Sequence, residues 1–149
     1  MPHLSPFLRS AIEVLEHSLW HYFRSDTSLD RKFALLHLDQ AIELLLKERV
    51  RRFGTSVYRK DNKKETISSW ESFEILANKG CNIPERADLE LLHDDRNEIQ
   101  HRYSTPSPET AVFHMENGLR FTERFLKDEF QTEIRNVLPI EYVAQILGQ

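Results

Sequence analysis

The chain has 149 residues, 40% of them hydrophobic and 30% charged, a balance that suits one globular domain with one core and excludes a disordered chain. A formal net charge of -4 has the wrong sign for a non-specific nucleic-acid binder, so any RNA-directed function must use a local cationic site. The single cysteine, Cys81, excludes an internal disulfide and a cysteine-based zinc site, and a reducing cytoplasm fits it.

Only four glycines and six prolines punctuate the chain, which favours a few long elements over many short strands. The start, "MPHLSPFLRS", has no basic region followed by an apolar run, so no signal peptide is expected. No apolar run approaches a membrane span, and no membrane partner is expected. Ser5 and Pro6 form a helix start, with a cap and a proline at the first helical position. Ile12, Leu15, Leu19, Tyr22 and Phe23 then recur at helical spacing to about Arg24. After the loop 25–30, a second helix runs from about Leu29 to Phe53. Its Leu35, Leu36, Leu38, Ala41, Ile42, Leu44, Leu45, Leu46 and Val50 project in nearly all directions, which marks it as central. Arg49, Arg51 and Arg52 complement the negative end of its dipole, and Gly54 stops it.

Residues 55–66 read as a polar loop. "SSWESFEILANKG" is a short third helix, capped by Ser68 or Ser69 and ended by Gly80. Pro84 is placed to open a fourth helix through "LLHDDRNEIQHRY", before "STPSPET" breaks the chain. Ser107, Pro108 and Glu109 start a long fifth helix to about Ile134, in which Gly118 is either a modest cost or a close-packing point. "LPIEYVAQIL" is a short amphipathic tail. The expected architecture is all-α: one antiparallel, up-and-down bundle of five to six helices, with a core over about 5–135 and a C-terminal helix at about 139–148.

On a helical wheel, Leu89, Leu92, Arg96, Ile99 and Tyr103 share one narrow stripe of the fourth helix. A guanidinium on the buried side requires an anionic partner or a cleft. Gln40, Glu43 and Lys47 form the least apolar strip of the second helix, so Glu43 is the expected partner of Arg96, in a pair that is either structural or functional. Asn97 and His101 share a face. His17, His21, His37, His93 and His114 read as ordinary histidines. His17 and His21 lie one turn apart on the first helix, but no further ligand completes the set in sequence, and no metal is expected. The basic clusters "RVRRF" and "YRKDNKK" read as a solvated helix end and loop.

"RNEIQHRY" resembles the signature of HEPN domains in the R-x4-H-x-Y form of HEPN toxins, and "KFALLHLDQAIELLLKERV" resembles the central helix of that superfamily. The resemblance covers roughly residues 5 to 130. It implies a helical homodimer whose motif helices face one another across a cleft, and a metal-independent endoribonuclease without a cofactor. Arg96 would clamp the phosphate, His101 would act as acid or base, and Asn97 would orient either. Tyr103 would stack, hydrogen-bond, or accept a nucleotide from a partner nucleotidyltransferase antitoxin. Glu43 would hold Arg96, and Lys47 and Arg102 would contribute to RNA binding. The alternatives are a silent HEPN module that dimerises and binds a nucleotidyltransferase or a nucleotide, and a helical adaptor in which Arg96 is only structural.

Overall fold

The computed structural model describes residues 4–24 and 27–148. Six α-helices occur among them: α1 (Pro6–Arg24), α2 (Ser28–Arg52), α3 (Ser69–Asn78), α4 (Arg86–Arg102), α5 (Pro108–Phe130) and α6 (Ile140–Leu147), with a 3-10 turn at Ile134–Asn136. No strand appears among the described residues, and no described helix is long and apolar enough to cross a membrane. The molecule is all-α, as its periodicity predicts.

The helix starts follow cap chemistry. Leu8 N donates to Ser5 Oγ at the head of α1. Thr27 caps α2 by accepting from Asp30 N; Ser25 and Asp26 of the expected loop lie outside the described residues. Ser68 and Glu71 form a reciprocal capping box on α3, and Ser107 caps α5 with Pro108 behind it. Gly80, at φ +81, supplies the left-handed turn that ends α3.

Two boundaries differ from expectation. Helix α4 opens at Arg86, after Glu85, so Pro84 sits in the preceding turn. Helix α5 stops at Phe130, where Gln131 adopts φ 49, and Ile134 packs from the separate 3-10 turn. The stretch 55–66 is also more than a polar loop. An isolated antiparallel bridge joins Tyr58 to Thr66, and Val57 and Ile67, at its flanks, are buried.

Helix α2 touches α1, α3, α4 and α5. That contact on all sides is why leucines surround it. Leu35, Leu38, Leu45, Leu46 and Val50 are fully buried, and on α5 so are Met115, Leu119, Phe121, Phe125 and Leu126. Helices α2 and α5 meet at Gly118. A Cβ there would lie 2.8 Å from Leu38 Cδ2 and 2.9 Å from Cδ1. Gly118→Ala should therefore destabilise, because overpacking costs about 1–3 kcal/mol against a helix-propensity gain of about 1 kcal/mol. In a Leu38→Ala background the same substitution should stabilise. Urea denaturation of the four proteins of this cycle measures the reversal.

Candidate functional site

Helix α4 carries the site. Leu89, Leu92 and Ile99 are buried and fasten it to the body. Arg96 lies between them in sequence, yet its side chain remains 31% exposed. It stands at the edge of the core, partly exposed. Its partner is Asp39 of α2: Arg96 Nε lies 3.6 Å from Asp39 Oδ2. Arg96 Nη1 also donates to Asn97 Oδ1 at 3.1 Å. No partner is found for Nη2 among the described residues, so one edge of the fork is free to take a phosphate oxygen.

The expected Glu43–Arg96 pair is not formed. Glu43 instead meets Lys47 at 3.4 Å, one turn along its own helix. The anion came from the expected face of α2, one helical turn earlier. Lys47 is also not open to a polyanion. It is buried and donates from Nζ to Thr66 Oγ1 at 2.6 Å, anchoring the 55–66 loop.

Asp39 also engages a residue that sequence reading passed over. His93 Nδ1 is 3.0 Å from Asp39 Oδ2. That hydrogen bond raises the imidazole pKa above its ordinary value against partial burial, with help from the charges of Asp39 and Glu43 and opposition from Arg96. The only sequence signal was its i, i+3 spacing from Arg96. A raised folded-state pKa stabilises the protein below the ordinary value of 6.5, and that stability is lost as pH rises through the folded value. His93→Gln should therefore flatten the decline in urea midpoint between about pH 6 and about pH 8.

The far end of α4 is open. His101 and Arg102 are exposed in its last turn, where cations suit the helix dipole. No side-chain hydrogen bond or ion pair joins His101 to another described residue, whereas Arg102 Nη1 lies 3.6 Å from Glu98. Tyr103 is not on the apolar stripe. The helix ends before it, and it takes the left-handed conformation at φ 56. It is 84% exposed. The wheel fails there because Tyr103 has left the helix. Arg31 Nε donates to Pro106 O at 3.0 Å, tying the following turn to α2.

Of the two carboxylates preceding Arg96, Asp95 is taken up by buried His114, whose Nε2 lies 2.6 Å away. The two basic clusters behave differently from one another. Arg49 pairs with Glu129, and Arg51 and Arg52 hold buried Glu48. Lys60, Lys63 and Lys64 are exposed, and a groove lined by Ser56, Tyr58, Arg59, Lys60 and Lys63 lies beside them. The structure thus joins Arg96 and Asn97 with Asp39 and His93. It leaves His101, Arg102 and Tyr103 exposed at the end of the same helix.

Comparison with family models, with curated proteins and with solved structures gives no match.

Proposed function

We propose that the chain is a HEPN-type endoribonuclease that needs no metal for cleavage and acts as a toxin or defence effector restrained by a cognate partner. The observation that carries this reading is Arg96: a partly exposed side chain, paired with buried Asp39 and bonded to Asn97, with Nη2 of its fork unpaired among the described residues. His101 stands five residues on along the helix, about 7.5 Å further by rise, and makes no competing bond.

In this mechanism an imidazole takes the proton of a ribose 2′-hydroxyl as that oxygen attacks the adjacent phosphorus. The bond from phosphorus to the 5′ oxygen breaks, and an imidazolium returns a proton to that oxygen. Arg96 neutralises the charge that grows on the phosphoryl oxygens. A homodimer across the motif helices supplies two His101 rings, one as base and one as acid. Exposed Leu91 on α4 and exposed Val112 and Phe113 on α5 are apolar material for such an interface. The lysines of the 55–66 loop supply the local positive surface that the net charge of -4 demands.

The test is purified wild-type protein with mixed RNA, with and without EDTA. Fragments ending in 2′,3′-cyclic phosphate, formed equally in both, support the reading. Intact RNA sinks it and leaves the silent module that dimerises and binds a nucleotidyltransferase or a nucleotide.

A further inference from the structure

Three imidazoles converge from two helices. His17 and His21 stand one turn apart on α1 and His37 comes from α2, and one ring nitrogen of each lies within 4.8 Å of the other two. His17 Nε2 and His21 Nε2 are 3.2 Å apart. Two nitrogens bonded at about 2.0–2.1 Å to one tetrahedral zinc ion are separated by about 3.3 Å. We propose that His17, His21 and His37 form a zinc(II) site that clamps α1 to α2, with a fourth coordination position open to water.

The hydrogen bonds around the cluster favour this. His21 Nδ1 lies 3.0 Å from Asp30 Oδ1. Asp30 is buried and is set in place as a first-turn residue of α2 under the Thr27 cap. A carboxylate there keeps the proton on Nδ1 and turns the lone pair of Nε2 into the cluster, the arrangement that orients histidine ligands at metals. Without a cation, two Nε2 atoms at 3.2 Å can coexist only as one donor and one acceptor. The third ring adds a further nitrogen to the same space.

The surroundings fit a ligand shell. Trp20 stacks on His17 at 5.8 Å between ring centroids, and Phe33 lies 5.1 Å from His21 and 6.1 Å from His37. These rings pack against the cluster, in which His17 is exposed and His21 and His37 are half-buried. A groove lined by Glu13, Glu16, His17, Trp20 and Tyr142 gives a cation an acidic approach. Three imidazole nitrogens select a borderline ion such as zinc over magnesium or calcium, which take oxygen.

The site is independent of the ribonuclease reading. His37 and Asp39 are two residues apart on α2, about 200° around the helix, so the cluster and the Arg96 site occupy opposite faces. The experiment uses tag-free full-length protein stripped with a chelator and titrated calorimetrically with Zn2+, with circular dichroism to confirm folding of each variant. One ion per chain is expected, together with a rise in Tm on addition of Zn2+. Co2+ in place of Zn2+ should give the intense visible absorption of a four-coordinate ion. His17→Ala and His37→Ala should each weaken Zn2+ binding at least 100-fold. Asp30→Asn should weaken it about 10–100-fold. His114 is not part of the cluster, so Zn2+ binding that survives in both His17→Ala and His37→Ala, or a stoichiometry well below one, overturns the site. So does a six-coordinate Co2+ spectrum that those two variants leave unchanged. None of these readouts uses RNA, so failure here and failure of the ribonuclease reading are distinguishable.

Discussion

His101→Ala should reduce RNA cleavage by about 10²–10⁴-fold, the range that a positioned acid or base contributes, while leaving stability within about 0.5 kcal/mol of wild type. The two effects separate because His101 is exposed in the last turn of α4 and its side chain bonds to no other described residue. Arg96→Lys is the sharper probe. It keeps the charge opposite Asp39 but loses the planar fork, so activity should fall by about 10²–10³-fold with a much smaller change in urea midpoint. Arg96→Ala should lose both activity and stability, because among the described residues buried Asp39 then keeps only the His93 side chain as a partner. Cleavage by His101→Ala at the wild-type rate would show that this imidazole is not the acid or base. His93, at 3.0 Å from Asp39, would then be the histidine to test next.

Replacing Arg51 and Arg52 together by Ala should cost about 3–5 kcal/mol, the penalty for leaving a buried carboxylate without its cations. Glu48 is fully buried. Arg51 donates to it at 2.6 and 3.1 Å, Arg52 donates at 3.2 Å, and Ser5 donates from the head of α1. Burial pushes this carboxyl up, but the hydrogen bonds of Arg51 and Ser5, the charge of Arg51 and the Arg52 bond outweigh it, so its pKa lies below the ordinary 4.5. In wild type the Glu48 contribution is therefore present above that ordinary value and is lost as pH falls through the folded pKa. Without the arginines burial dominates, and the sign reverses: stability is lost as pH rises through the raised pKa. Urea midpoints against pH should show opposite slopes for the two proteins in the acid range. Adding Glu48→Gln to the double variant should restore most of the loss, since a neutral amide is far less costly to bury. A double variant as stable as wild type would mean that Glu48 is not held by this pair.

The helices were legible because their signals are local. Ser5-Pro6, Ser68 with Glu71 and Ser107-Pro108 act within a few residues of themselves, and each caps the helix it was expected to cap. The all-round leucines of α2 announced a helix touched from several sides, and four helices touch it. Periodicity also placed Leu89, Leu92 and Ile99 on a buried face, with Arg96 near its edge. Where local rules stopped, so did the reading. Tyr103 was carried onto the stripe because a wheel does not know where its helix ends, and the positive φ of an aromatic residue has no local signature.

Partner choice lies on the other side of that line. An arginine on an apolar stripe demands an anion, and chain order alone points to α2. Asp39 and Glu43 are one turn apart on that helix, and only its axial position against α4 decides between them. The same holds for His17, His21 and His37. The i, i+4 pair is visible in the chain, but the third nitrogen arrives only when α2 packs on α1. Lys47, too, looked like a cation beside the site until the 55–66 loop folded over it. Helix type and buried face follow from interactions over three or four residues, which one sequence displays. Which side chains meet across helices depends on axial offsets of a few ångströms set by the whole core, and no single segment encodes them.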